Sequence, residues 1–333
     1  MQTTYSPQPA SKTRILVNLE SIGLSLPVLG CIGLLALAPL FIHDEYILRL
    51  LVVSLLFGAM AIAFDFTGGF INAVNFGFAG FVGLGAYTST LMVTKAGINP
   101  WLGLLAALLV SGLVGFFTGL LTLPLRGIYV SLMSWFVGLT LMALANAMVK
   151  LTNGARGLIV PPLYESVTIT AHLYIMLAIT VALYVVFRLI IRSRAGLAFR
   201  AIGQNFDAAR ASGVNPTRYK LMNFTLSCAV AGMLGGYYGH FVGIITPDLM
   251  DTGRTMEVMA LAYIGGSGSL LGGVFAAFLF IPLFDSLKRL MEYRLIIYGL
   301  SLIMIMIFYP AGLAGLYQYL TEKYKTWKGR TSQ

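Results

Sequence analysis

Pro100-Trp-Leu-Gly-Leu-Leu-Ala-Ala-Leu-Leu-Val-Ser-Gly-Leu-Val-Gly-Phe-Phe-Thr-Gly-Leu-Leu-Thr-Leu123 runs 24 residues without a charged side chain. A helix needs about 20 mainly apolar residues to cross a bilayer, whereas the strand of a membrane barrel needs only about 10 and alternates in polarity. The run is too long and too uniform for such a strand, so it reads as a spanning helix. Comparable runs recur on both sides of it. The whole chain of 333 residues is 58% hydrophobic and 10% charged, with a mean hydropathy of +0.85. Soluble domains are roughly 25% charged. The expected fold is all-α, a polytopic helical membrane protein.

Hydropathy places about ten membrane segments, at 22–42, 45–64, 76–95, 100–123, 127–150, 171–191, 219–245, 255–265, 269–288 and 295–312. The first carries a small-x-small pattern at Ala36-Leu37-Ala38. It exceeds the roughly 7 to 15 apolar residues of a signal-peptide core, and further spans follow, so a retained helix is expected. Residues 1–21 then form a cytoplasmic N-terminal segment, 22–312 the permeating membrane domain, and 313–333 a basic cytoplasmic tail. Arg192, Arg194, Arg200, Arg210 and Arg218 in the 192–218 loop, and Lys323, Lys325, Lys328 and Arg330 in the tail, lie inside in this scheme, as the excess of basic residues in cytoplasmic loops requires. Lys288, Arg289 and Arg294 fall on the opposite side, with Asp285 and Glu292 as partial offsets. The segment 255–265 is too short to cross a core of about 30 Å, so it is expected to be buried, broken or re-entrant.

Two glycine-rich stretches stand out, Asn72 to Tyr87 and Ile264 to Gly273. Glycine permits close backbone approach and helix interruption. Interrupted segments in two halves are what an internally repeated transporter shows, with its pathway at the repeat interface. On that reading Asn72, Asn75, Gly77 and Gly80 in the first stretch, and Gly265, Gly266 and Gly268 in the second, are candidate pathway positions. Ordinary packing by small residues accounts for the same glycines. Thr88, Ser89, Ser131, Ser134, Asn146, Asn223 and Ser227 also lie along apolar segments, to line a pathway or to bond between helices.

Nothing in the chain points to catalysis, a metal or a cofactor. His43, His172 and His240 are scattered, and no Gly-x-x-x-x-Gly-Lys-Ser/Thr loop is present, so ATP hydrolysis by this chain through a P-loop is excluded. Cys31 and Cys228 sit in apolar segments without ligand spacing. The net charge of +10 is placed beside the spans, where it faces cytoplasm and anionic lipid rather than nucleic acid. Asp65, Lys150, Arg188 and Asp285 fall near segment ends, where snorkelling to the interface is expected. Glu257 and His240 lie deeper; hydrogen bonding and proton coupling are both open to them.

The polar stretch from Arg192 to Lys220 interrupts this apolar chain. A helix from about Phe199 to Ser212 would gather Ala201, Ala208, Ala209 and Ser212 on one small-residue side, with Gly213 able to end it in a left-handed turn. Its Asp207-Ala208-Ala209, followed after three residues by Gly213, resembles the Glu-Ala-Ala-x-x-x-Gly loop by which permeases of ATP-binding-cassette importers dock onto their ATPases. With Gly77 to Tyr87, Thr152-Asn-Gly-Ala-Arg-Gly-Leu158, the loop from Arg194 through Arg218-Tyr-Lys-Leu221, Gly265 to Gly272 and Ile297 to Leu313, the chain after residue 45 is similar to the branched-chain amino-acid permeases of the LivH/LivM family, nearest the LivM type. Asp207 stands for the usual Glu, and Asn153 for the first Gly of a Thr-Gly-Gly block.

The resemblance implies a bacterial inner-membrane importer subunit that pairs with a homologous second permease of the LivH type, two cytoplasmic ATPases and a periplasmic solute-binding protein. Asp207, Ala208, Ala209 and Gly213 are then the ATPase-docking residues, and the 152–158 loop a contact for the binding protein. Leucine, isoleucine and valine are the expected solutes; urea or a short amide, and then a sugar, are the alternatives. A gradient-driven secondary transporter, with Glu257 as its coupling group, is the competing class.

Overall fold

The computed structural model describes residues 26–163 and 168–286, together with scattered helical positions between 296 and 315. The expected N-terminal segment, Lys288, Arg289 and Arg294, nearly all of the tail and most of the tenth segment lie outside the described residues.

Apolar runs become helices that lie side by side. They are α1 (Leu26–Phe41), α2 (Glu45–Gly68), α3 (Phe78–Ala96), α4 (Pro100–Thr122), α5 (Ile128–Ala147), α6 (Val149–Thr152), α7 (Ile169–Arg192), α8 (Arg194–Gln204), α9 (Phe206–Ala211), α10 (Pro216–Val242), α11 (Thr252–Gly265) and α12 (Leu271–Ser286). Four of them, α2, α4, α5 and α7, are long and apolar enough to cross a membrane among the described residues. Local chemistry sets their ends. Asp44 accepts the Tyr46 N–H ahead of α2, Asn99 with Pro100 opens α4, and Asn215 with Pro216 opens α10, each an arrangement that satisfies or avoids an orphan N–H.

α10 is the central post. It runs antiparallel to α4, where Gly112, Gly115 and Gly119 meet Ala229, Cys228 and Leu221. It also runs antiparallel to α2, whose Ala63 and Phe66 carbonyls accept from Ser227 and Asn223. α12 lies antiparallel to α2 in turn, with Val274 against Gly58 and Asp285 bonded to Tyr46. Burial sorts these helices: α2 has seventeen buried positions, while α5 has five and turns Ile128, Tyr129, Phe136, Leu139 and Leu144 outward. An all-round apolar helix with so much exposed surface suits a hydrocarbon solvent.

The only strands among the described residues are β1 (Leu158–Ile159) and β2 (Ile244–Ile245), paired antiparallel as Leu158↔Ile245 and Ile159↔Ile244. β2 follows the C-terminus of α10, and α8–α9 precede its N-terminus. The 27 residues of α10 span about 40 Å, so ladder and helix pair occupy opposite ends of the bundle.

Candidate functional site

The polar loop folds as two helices rather than the single helix expected over 199–212. Asn205 divides them: its backbone is extended, and its Oδ1 accepts the N–H groups of Asp207 and Ala208 at 3.1 and 3.0 Å. A side chain that caps so well starts a new helix in place of continuing the old one. α9 then ends in a Schellman turn, with Gly213 at φ +83°, its N–H on Arg210 O and the Val214 N–H on Ala209 O.

α8 is fixed by its apolar face. Phe199 meets Phe66 edge-on at 5.5 Å and Tyr219 at 6.1 Å, and Phe66 stacks on Phe187 at 4.3 Å. α9 is held more lightly. Arg126, in the α4–α5 linker, pairs with Asp207 at 3.1 Å and lies over the Phe206 ring at 4.8 Å. Of the four expected docking residues, Asp207, Ala208 and Gly213 are exposed. Ala209 is 4% exposed and faces the chain's own interior, where it supports α9. A surface hollow beside them is lined by Phe206, Arg210, Gly213, Val214, Asn215 and Thr217.

Directly beneath this pair the chain reverses twice. The first reversal, residues 69–77 between α2 and α3, carries Asn72 at φ +55°. Asn72 is exposed, and its Nδ2 donates to Gly203 O in α8 at 2.8 Å. Asn75 is buried; its Oδ1 accepts the Gly77 N–H and its Nδ2 reaches Cys228 Sγ at 3.6 Å. Gly77 and Gly80, two of the candidate pathway positions, start α3 and seat it on α5: a Cβ on Gly77 would collide with the Ser134 carbonyl, and one on Gly80 would meet Gly138 Cα at 2.7 Å. The leading N–H groups of α3 find side chains from three directions, Asn75 for Gly77, Ser134 for Phe76 and Thr255 for Ala79.

The second reversal, between α11 and α12, carries Gly266 at φ +108°, Gly268 at +79° and Leu270 at +57°. Gly265 lies against the backbone of Gly272 and Gly273, so the two helices meet without side chains between them. Asp65 corrects the expectation of snorkelling. It is 4% exposed, and its carboxylate accepts from Gly268 N–H at 2.7 Å and Leu270 N–H at 3.0 Å. The partners lie over 200 positions away, which no local pattern in the sequence signals.

Most other polar candidates bond to protein. Ser227 and Asn223 join α10 to α2, Ser89 meets His240, and His240 reaches Pro161 O at 2.7 Å. Thr88 and Asn146 bond to their own helices. Glu257 pairs with Arg254 at 3.1 Å. The 152–158 loop is tied to the β ladder, and Asn153, Gly154 and Gly157 there all take positive φ.

The family described as "Branched-chain amino acid transport system / permease component" matches residues 46–308. The chain is 26% identical over 290 residues to the high-affinity branched-chain amino acid transport system permease protein LivM of Salmonella typhimurium, covering 78% of this chain and 68% of that one. It is 25% identical over 283 residues to LivH of Escherichia coli K12, covering 78% and 91%. The autoinducer 2 import system permease protein LsrC of Escherichia coli is 27% identical over 239 residues, covering 65% and 66%. No solved structure matches the chain.

Proposed function

Since this chain belongs to the branched-chain amino acid transport system permease family, and is accordingly a transport subunit and not an enzyme, we propose that it works in an importer of leucine, isoleucine and valine driven by the ATPases seated on α8–α9. The observation that carries the reading is the exposed row of Asp207, Ala208 and Gly213 on a capped helix at one end of the bundle, beside an open hollow. Two ATPases, a LivH-type second permease and a periplasmic solute-binding protein complete the assembly, in the bacterial inner membrane. The solute class follows the LivM and LivH similarity; LsrC shows that relatives named for another solute share much of the chain.

In this reading α8–α9 and both termini face the cytoplasm, where the arginines of the loop satisfy the positive-inside rule. The 152–158 loop and the β ladder face the binding protein. The membrane domain has ten segments, of which α11, at 14 residues or about 21 Å, stops short of spanning. The internal repeat pairs α2, α3 and α4 with α10, α11 and α12. α2 and α10 run antiparallel, and each is followed by an irregular stretch and a shorter helix. The two glycine-rich stretches are not equivalents in this pairing; the stretch that answers 69–77 is 243–251.

Gly213→Asp tests the dock. Nothing lies within 4 Å of a Cβ at Gly213, and Asp tolerates a left-handed backbone better than most residues, so the subunit itself has room for the change. The expected result is normal membrane insertion with the ATPases absent from the purified complex and leucine uptake abolished. Uptake at the parent's rate with the ATPases retained would remove α8–α9 from the docking role.

A further inference from the structure

We propose that Asp65 is the positioning residue that ties movement of the α8–α9 pair to the second chain reversal, and through it to α11 and α12. The inference rests on the reading of α8–α9 as the ATPase dock.

The connection is continuous. The last turn of α8 lies on the first reversal: Gly203 is so close to Phe70 that a Cβ would collide with the Phe70 carbonyl, Arg200 sits 5.8 Å above the Phe70 ring, and Asn72 Nδ2 donates to Gly203 O at 2.8 Å. The first reversal then lies on the second. A Cβ on Gly69 would strike both the Asp65 carboxylate and the Gly268 nitrogen, and the Gly69 N–H caps Asp65 O at 2.8 Å. Asp65 finally grips the second reversal at two points, Gly268 N–H and Leu270 N–H.

The chemistry of the grip explains the residue. An ionised carboxylate only accepts, so it satisfies two N–H donors at once, one per oxygen. An amide of the same shape would accept from one donor and push its own NH2 at the other. The donors it holds are the N–H groups of the two positive-φ residues themselves, Gly268 and Leu270. Leucine takes that conformation only where surroundings enforce it, so the reversal keeps its shape for as long as Asp65 holds it. A displacement of α8 that carries Phe70 and Asn72 therefore reaches the α11–α12 junction as a change in the Asp65 bonds, without needing the long helices to bend.

The test uses the assembled transporter in proteoliposomes with its ATPases, second permease and binding protein, and reads leucine transported per ATP hydrolysed. Ser227→Ala is the control, because it removes a bond between α10 and the same helix α2 without touching either reversal. Asp65→Asn is expected to hydrolyse ATP but to lower the ratio about tenfold, the equilibrium equivalent of one charge-assisted hydrogen bond. Asn72→Gly, which keeps the backbone conformation and deletes the contact with Gly203, is expected to lower it about threefold, as a neutral bond would. Ser227→Ala is expected to leave the ratio unchanged.

A parental ratio in Asp65→Asn overturns the proposal. If that variant does not assemble, Asn72→Gly decides alone: a lowered ratio supports the route and a parental one overturns it. The dock is judged separately. Retained ATPases in Gly213→Asp would sink the docking reading itself, whereas lost ATPases there with parental ratios in the Asp65 and Asn72 variants would sink only this route.

Discussion

Gly77 closes the first reversal and Gly268 lies within the second, and each resists replacement for a different reason. Gly77 has an ordinary backbone, φ −88° and ψ 10°, but no room: the Ser134 carbonyl occupies the place of its Cβ. Gly268 has room, with the nearest atom, Gly69 O, at 3.5 Å, but a backbone at φ +79° that side chains disfavour. One position is a helix contact between α3 and α5; the other is a turn. The same residue letter answers two separate physical demands, close approach and left-handed geometry.

The largest effect expected from breaking this contrast is at Gly77. A valine there must displace the Ser134 backbone, and neither α3 nor α5 can move without uncovering Ser134, Asn75 and Thr255, which cap the start of α3. Overpacking of this kind belongs with the exceptional losses of about 4 kcal/mol or more. Gly77→Val is expected to yield no folded subunit on gel filtration in detergent, Gly77→Ala a reduced yield, and Gly77→Asn no advantage over Ala. Size alone sets that order.

At Gly268 the order is set by φ. Replacement by Ala is expected to cost about 1–2 kcal/mol, Asn less than Ala, and Val more. Thermal unfolding of the purified complex checks the series, and a result in which Asn is as harmful as Val would mean that space, not backbone geometry, is what Gly268 supplies.

This contrast also marks how far the sequence could be read. Nine expected segments correspond to helices among the described residues, because long apolar runs need no knowledge of their neighbours. Both glycine stretches are visible in the sequence, where interruption and close packing are both open to their glycines; in the first, most of Asn72 to Tyr87 is α3, in line with the expected 76–95 segment. Composition does not say whether a glycine serves φ or contact; only the partner backbone does. Asn205 is a local signal that the sequence does carry, since an Asn two and three residues ahead of the N–H groups it caps is a helix start. Asp65 was not legible, because its partners arrive from residues 268 and 270 and nothing near Asp65 in sequence announces them.

Away from the reversals the same bundle end holds contacts of much smaller weight, and Arg126 measures the difference. Its bridge to Asp207 is open to solvent, with side chains 62% and 70% exposed, so the pair contributes about 0–1 kcal/mol. Its place over Phe206 contributes roughly 0.5–1 kcal/mol more at an exposed site. Arg126→Ala should thus lower the unfolding midpoint slightly, and a double-mutant cycle with Asp207→Ala should return a coupling below about 1 kcal/mol that shrinks as salt is raised. A coupling several times larger and insensitive to salt would mean that α9 is clamped as firmly as the buried reversals. A small, screened coupling instead means that α9 is held lightly, while α8, anchored through Phe199 against Phe66 and Tyr219, keeps its seat on the chain beneath.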